Sequence, residues 1–278
     1  MKIIIGYDGS SDARAAADWA LDEAQRTGLP VEFVYADEWP FWLMPSPVLA
    51  TDQSIKHAIA TMLRRAVAEA ERSHPAVQAD WVRIRAHAAP ALIERSADAA
   101  LLVVGGRGHS AVAGLLGSVA AAVGAHAHCP VVIARGDPDP AAPVVAGVDD
   151  SPAAAAVLRF AAEHALARGV PLRVIRAWPP VTGLFEDASW AARTVPASLR
   201  EPFDALVTEI RDAYPGLQVR AEAVPDDPGG ALERAAAGAQ LLVAGSRGLG
   251  PVRGLLAGSV SQRLLRHSPC PVAVLHTT

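Results

Sequence analysis

The sequence predicts an α/β protein of two tandem domains, each a doubly wound parallel sheet of five strands. Apolar runs of strand length alternate with segments of helical period throughout the 278 residues. Landmarks of the first half recur 141 residues later in the second. A glycine-rich turn between an apolar strand and a helix occurs twice, as Gly105-Gly106-Arg107-Gly108 and as Gly245-Ser246-Arg247-Gly248.

The repeat is close to exact. Asp8 matches Asp149, Pro30 matches Pro171, Gly117-Ser118 matches Gly258-Ser259, and Cys129-Pro130-Val131 matches Cys270-Pro271-Val272, all 141 apart. Only the start of the glycine loop slips: eight residues separate Gly108 from Gly117, and nine separate Gly248 from Gly258. A tandem duplication with one residue missing from the first loop accounts for this. The domains are expected at 1–136 and 144–278, joined by a linker, 137–143, whose prolines and acids exclude a regular element. Each half is large enough to bury its own core.

The first half opens on Ile3-Ile4-Ile5, a continuous apolar run of the kind buried on both faces of a parallel sheet. Gly9-Ser10-Ser11 is a helix-start signal, and Ala16, Ala20, Leu21 and Ala24 recur at helical spacing in a helix from about Asp12 to Thr27. Then follow a strand at Val31 to Ala36, a connection rich in Pro and Trp, and a helix over roughly Asp52 to Arg72. A strand at Trp81 to Ala86, a short helix at about Ala91 to Ala97 and a strand at Leu101 to Val104 lead into the glycine loop. A helix to about Ala127 and a last strand, Val131 to Ala134, complete it.

The second half repeats the series with strands at Val144 to Val148, Leu172 to Ala177, Val219 to Ala223, Leu241 to Ala244 and Val272 to Leu275. Its helices are expected at Pro152 to Ala167, about Pro202 to Ala213, Ala231 to Ala237, and after the second loop. Ser151-Pro152 reads as a helix start, because proline at the first helical position leaves no N–H unpaired.

In a doubly wound sheet, ligands bind beyond the carboxyl ends of the strands where strand order reverses. Asp8, Asp149 and both glycine loops should lie there. Glycine lacks a Cβ, so it admits positive φ and lets main-chain N–H groups approach an anion. The hydroxyl of Ser259, where a helix begins, would cap that helix or contact a phosphate, and the helix dipole favours negative charge in that position. An acid at one side and a phosphate cradle at the other suit one nucleotide. The plainer alternatives stand beside this: the glycines only make a tight connection, and Asp149, like Asp150, only caps the following helix.

Composition excludes some function classes. A net charge of −4 argues against a general polyanion binder, so nucleic acid is not an expected partner. The amino terminus turns polar too early for a secretory signal, and the weakly polar run from Ala111 to Ala125 is too short to span a bilayer, so no membrane partner is expected. Two cysteines, Cys129 and Cys270, occupy equivalent positions in separate halves and suit a reducing cytoplasm. His126, His128 and Cys129 suggest a metal site, but His267-Ser268-Pro269-Cys270 keeps one His and the Cys, so a structural role is expected and no metal.

No G-x-x-x-x-G-K-[ST] motif occurs, and the dinucleotide fingerprint fails after the first strand. Arg107 and Arg247 sit inside the loops, where they pair with phosphate or are simply solvated. Neither offers a general base. The aromatic-rich connections, Trp39 to Pro47 and Trp178 to Trp190, would overhang a nucleotide or form satellite hydrophobic clusters.

The pattern G-x-x-G-x9-G-[S/T], in a domain that opens on an apolar strand ending in Asp and closes on C-P-V, resembles the universal stress protein family, here as a two-domain member. The resemblance implies an adenine nucleotide alpha hydrolase-like fold and an ATP-binding stress-response or regulatory protein with little or no hydrolysis, possessing no catalytic residues and at most a slow ATPase activity. It implies ATP as ligand, with or without Mg, held by Gly245, Arg247, Gly248, Gly258, Ser259 and Val260, with Asp149 on the nucleoside and Ala177 beside the base. In the first half Asp8, Ala36, Gly105, Gly108, Gly117, Ser118 and Val119 would form a second site. Its shorter loop displaces N–H groups by up to roughly 3.8 Å, one Cα step, so the nucleotide is expected chiefly in the C-terminal half. The resemblance also points to a homodimer or to pairing of the two domains through their last strands. The alternative is a nucleotide-free structural or interaction module in which the loops are only turns.

Overall fold

The computed structural model describes residues 1–37, 49–108, 116–179, 195–246 and 258–276. These fall into two compact units, Met1–Ala134 and Arg135–Thr278.

In the first unit the order is β1 (Ile3–Gly6), α1 (Ser11–Thr27), β2 (Val31–Ala36), α2 (Leu49–Ser73), β3 (Ala79–Ile84), α3 (Ala88–Ser96), β4 (Leu101–Gly105), α4 (Ser118–His126) and β5 (Val131–Ala134). Its strands lie in the order β3-β2-β1-β4-β5, and every pair is parallel. The order reverses between β1 and β4. Ile3, Ile4, Ile5, Leu102 and Ile133 are all but inaccessible to solvent, as expected for strands covered on both faces.

The second unit contains β6 (Val144–Gly147), α5 (Ala154–Arg168), β7 (Leu172–Trp178), α6 (Ala197–Ala213), β8 (Val219–Pro225), α7 (Pro228–Ala236), β9 (Leu241–Gly245), α8 (Ser259–His267) and β10 (Val272–Leu275). Its strands run β10-β9-β6-β7-β8, again all parallel, with the reversal between β6 and β9. The two units therefore share one topology.

Local chemistry explains most element ends. Ser10 caps α1 by accepting the Ala13 N–H at 3.2 Å, and Gly28 and Gly169 close α1 and α5 in the left-handed conformation with φ of 70° and 66°. Asp227 caps α7 through the Gly230 N–H at 2.8 Å, with Pro228 in the first turn. That D-P signal is plain in the sequence, yet the predicted helix began three residues later, at Ala231. Two helix starts depart further from expectation. Pro202 lies inside α6, which begins at Ala197 and continues through the proline because Phe203, Val207 and Ile210 are buried against the unit. Proline at position 152 does not open α5: residues 151–153 form a turn, with the Ala154 N–H donating to Ser151 O at 3.1 Å, and the helix starts at Ala154.

The segment after β5 belongs to the second unit. The buried Gln240 amide donates to the carbonyls of Pro140 and Ala142 at 2.9 and 2.6 Å, and Asp139 Oδ1 accepts the Ala141 N–H at 2.9 Å. The proline-rich stretch is thus fastened by a side chain rather than by a ladder.

Candidate strand-end nucleotide site

In each unit the acid after the first strand and the glycine turn after the fourth reach the same end of the sheet. Gly6 of β1 is in register with Val104 of β4, and Gly147 of β6 with Ala244 of β9. Two residues after Gly6 comes Asp8; two after Gly147 comes Asp149. Both glycine turns follow at the reversal point, where no adjacent crossover covers the sheet end.

The first unit shows how closely these groups approach. A Cβ on Gly108 would lie 2.9 Å from Asp8 Oδ2. Across the loop, the Gly117 N–H donates to Gly106 O at 2.8 Å, and a Cβ on Gly117 would stand 3.3 Å from that same oxygen. The loop's entry and exit are therefore sutured together beside the carboxylate. In the second unit the Gly258 N–H donates to Ser246 O at 2.8 Å, and the Ser261 hydroxyl donates to Ser246 O at 3.1 Å and Gly258 O at 2.9 Å. Ser261 was not among the residues expected to matter, and its register one helical turn past the loop was the only available signal.

The reason these positions are glycine differs from the one expected. Positive φ occurs only at Gly9, Gly28, Gly136 and Gly169 among the described residues, so Gly105, Gly108, Gly117, Gly245 and Gly258 do not serve through left-handed backbone. Close approach selects Gly105, Gly108 and Gly117 instead. A Cβ on Gly105 would sit 2.6 Å from the carbonyl carbon of Asp12, because the start of α1 packs directly on the end of β4.

The helix that follows each loop is open at its amino end. Gly117 and Gly258 are the N-caps, in extended conformation, and no side chain caps either helix. Ser118 and Ser259 occupy the first helical position, so Ser259 does not cap α8; its exposed hydroxyl stands beside first-turn N–H groups that have no intrahelical acceptor. Val119 and Val260 follow them, partly exposed.

The strand-one acids do not cap either. Asp8 Oδ1 accepts the Ser10 N–H at 2.9 Å and Asp149 Oδ1 the Ser151 N–H at 3.0 Å, local turns that fix each carboxylate. Asp150 turns elsewhere. Arg176, with its side chain 7% exposed, grips both Asp150 carboxylate oxygens, and its guanidinium carbon lies 4.5 Å from the centre of the Trp178 ring. Trp178 in turn meets Phe203 edge-on at 6.2 Å. An arginine between apolar strand neighbours was the sequence signal for such a partner.

Ala36 ends β2, and Ala177 is the penultimate residue of β7. Val31 and Asp37 donate their N–H groups toward β3, at Gln78 O and Ile84 O, so the intervening alternate residue Ala36 directs its N–H and C=O toward the β1 side. The last bond between these strands is Tyr7 N–H to Val34 O at 2.9 Å; Ala36 lies two residues past it. By the same parity Ala177 faces the β6 side, two residues beyond Ile175, whose carbonyl accepts the Val148 N–H at 3.1 Å. A backbone donor and acceptor thus overlook each strand-one acid.

Arg107 is engaged within its own unit: Nε and Nη2 donate to Asp12 Oδ2 and Oδ1 at 3.0 and 3.3 Å, and this bonding raises the guanidinium pKa. Arg247 and Gly248 lie outside the described residues, as do Trp39 to Pro47 and all of the second aromatic connection except Trp178 and Pro179. Both cysteines are free and buried, and burial pushes the Cys129 thiol up to about 11 and the Cys270 thiol in the same direction. Among the described residues no group of three or more His, Cys, Asp or Glu side chains is placed to hold a metal, and no helix is long and apolar enough to cross a membrane.

Comparison with known proteins fits this geometry. The family model described as the universal stress protein family matches twice, over residues 1–135 and 141–276. The chain belongs to the universal stress protein family. It is 33% identical over 289 residues to a universal stress protein of Mycobacterium tuberculosis strain H37Rv, covering 99% of this chain and 96% of that one. A universal stress protein of Mycobacterium bovis is 31% identical over 299 residues, at 99% and 94% coverage. The crystal structure of a universal stress protein from Archaeoglobus fulgidus superposes with a TM-score of 0.74 over 99% of this chain and 98% of its own, at 19% identity, a likeness of fold. The universal stress protein domain is present here as a tandem pair.

Proposed function

We propose that the protein binds ATP at the strand-end sites, chiefly in its C-terminal unit, and acts as a regulatory or stress-response protein with little or no hydrolysis. The observation that carries this reading is the convergence of three features at one sheet end: a fixed strand-one carboxylate, a sutured glycine turn, and a helix amino terminus capped by glycine alone. The residues fit the ligand. Asp149 would accept from a ribose hydroxyl, since an ionised carboxylate is acceptor-only. The N–H and C=O of Ala177 would read the edge of the base. Gly245, Gly248, Gly258, Ser259 and Val260, with Arg247, would surround the phosphates, where the uncapped N–H groups at the start of α8 favour an anion. Asp8, Ala36, Gly105, Gly108, Gly117, Ser118 and Val119 form the corresponding set in the first unit.

Two features weigh toward binding without rapid turnover. The sequence lacks the lysine-bearing phosphate loop, and neither loop arginine, Arg107 or Arg247, offers a general base. Pairing through the last strands, within one chain or between two, belongs to the same proposal; β5 and β10 each end their own unit's row of strands.

Calorimetric titration of the full chain with Mg-ATP tests the reading, alongside Asp149→Ala and Gly258→Val. Binding that these changes largely abolish supports it. No heat and no retained nucleotide in native mass spectrometry overturns it in favour of a nucleotide-free interaction module. Light scattering reports self-association, as a mass of 28.9 kDa or a multiple of it.

A further inference from the structure

The two strand-end sites differ at the position of Asp12, whose counterpart in the second unit is Ala153. In the first unit Asp12, in the opening turn of α1, takes both Nε and Nη2 of Arg107 at 3.0 and 3.3 Å. The Asp12 side chain is only 18% exposed while that of Arg107 is 47% exposed, so the acid is the fixed partner and the arginine the one that reaches it. Asp12 is fixed because its backbone is pressed against Gly105 at the end of β4, where a Cβ would come within 2.6 Å. The other arginine of this sheet end, Arg14, is turned onto the Gly9 carbonyl at 2.6 Å. One residue past Arg107, Gly108 abuts the Asp8 carboxylate. Any phosphate entering this loop meets two carboxylates and a guanidinium already satisfied by one of them.

The second unit lacks the counterpart. Ala153 stands 141 residues after Asp12, and it is the N-cap of α5, with no side-chain hydrogen bond to give. Of the two acids before it, Asp149 accepts the Ser151 N–H and Asp150 is committed to Arg176.

We propose that Asp12 is a specificity-determining residue of the first unit: by engaging Arg107 it withholds the loop guanidinium from phosphate, and so selects adenine ligands of low charge, adenosine and its monophosphate, over ATP. This rests on the nucleotide reading above and refines it. An acid that neutralises an anion-binding arginine penalises a ligand in proportion to its charge and leaves an uncharged one unaffected. The nucleoside itself would still be met by Asp8, whose Oδ1 accepts the Ser10 N–H, and by the Ala36 backbone, while Asp12 is engaged with Arg107. Asp12 acts through Arg107; it is a positioning residue with respect to the ligand.

Hydrogen exchange on the full chain, titrated separately with adenosine, AMP and ATP, resolves the two units by peptide. Peptides from 1–37 and 101–108 report the first site, and peptides from 144–178 and 258–276 the second. In the unaltered chain the first-site peptides are expected to need roughly tenfold more ATP than AMP for half protection. Asp12→Asn keeps a polar first-turn side chain but removes the charge. It is expected to lower the first-site ATP midpoint by roughly tenfold, with the adenosine midpoint and every second-site midpoint unchanged. Combining it with Arg107→Ala is expected to cancel that gain.

An Asp12→Asn chain whose ATP and adenosine midpoints move together, or do not move, overturns the assignment. So does a gain that persists without Arg107. If no adenine compound protects any peptide of the first unit in either protein, the nucleotide reading of that unit falls first, and the selectivity with it.

Discussion

The turn after the first strand is built in two ways in the two units. After Asp8 the chain passes through Gly9 at φ +82°, Ser10 caps the helix, and α1 begins at once with Ser11. After Asp149 the corresponding residue is Asp150; no non-glycine residue among those described has positive φ, Arg176 takes hold of the side chain, and α5 waits until Ala154. One unit uses backbone freedom and the other a largely buried ion pair to present an acid at the same place. The Gly9 turn is further confined by Met62, whose sulfur would lie 2.5 Å from a Cβ there. Duplication has preserved where the carboxylate stands and not how it is held.

If the second site is the principal one, substitutions should separate the units most in binding. Asp149→Ala and Gly258→Val are expected to weaken Mg-ATP binding by about 100-fold or more, about 2.7 kcal/mol, whereas Asp8→Ala and Gly117→Val change it much less in calorimetry of the full chain. Equal losses from both pairs would make the sites equivalent.

The ion pair that replaces the glycine should show in local stability. Arg176→Ala removes the partner of Asp150 and the cation over Trp178, at a cost of about 2 kcal/mol, reduced from the value for a fully buried pair because Asp150 is half exposed. Hydrogen exchange should accelerate in β6 and β7 and remain unchanged in β1 and β2.

In the first unit the sensitive position is the contact between α1 and β4. Gly105→Ala forces a methyl against the Asp12 backbone and should destabilise that unit by about 1–3 kcal/mol, read as a lower urea midpoint for its transition. An unaltered midpoint would mean that α1 is free to move outward.

The smallest expected effect concerns alkaline pH. Burial raises Cys129 from 9.0 to about 11, so between these values the unfolded chain has lost a proton that the folded chain retains. Stability then falls as pH rises above about 9, by at most about 1–2 kcal/mol once partial exposure is allowed for. Cys129→Ala should flatten that decline in chemical denaturation, and the unaltered thiol should resist alkylation at neutral pH until the chain unfolds.

Much of the fold was legible because its signals are local. Ile3-Ile4-Ile5 read as a doubly covered strand and Leu101 to Val104 as a strand from apolar continuity, and Gly9-Ser10-Ser11 read as a helix start. The repeat placed Asp8 with the first loop and Asp149 with the second. The misplaced helix starts also have local causes. The helix expected from about Pro202 starts five residues earlier, at Ala197, because the apolar contacts of Phe203 and Val207 carry α6 through the proline. Proline at 152 reads as a helix start because it leaves no N–H unpaired, but the preceding turn closes without a helical first residue.

The candidate site was half legible. Residue types and spacing identified its glycines and acids, since both are properties of a short stretch of chain. The reason for the glycines was not, because close approach between Gly105 and Asp12, or between Gly108 and Asp8, joins residues about a hundred positions apart. The pair Asp12–Arg107, 95 positions apart, was invisible for the same reason, whereas Asp150–Arg176, 26 apart, left only the signal of an arginine between apolar strand neighbours.

The sequence alone determined the duplicated α/β architecture, the strand-end location of the acids and loops, and membership of a recognisable family, because periodicity and repeat spacing survive in one dimension. Tertiary structure alone decided which charges neutralise each other and which glycines are needed for room rather than for φ. Those depend on distances between strands and helices, which fall as the inverse of separation in an electrostatic energy and far more steeply in a steric one, and no spacing along the chain encodes them.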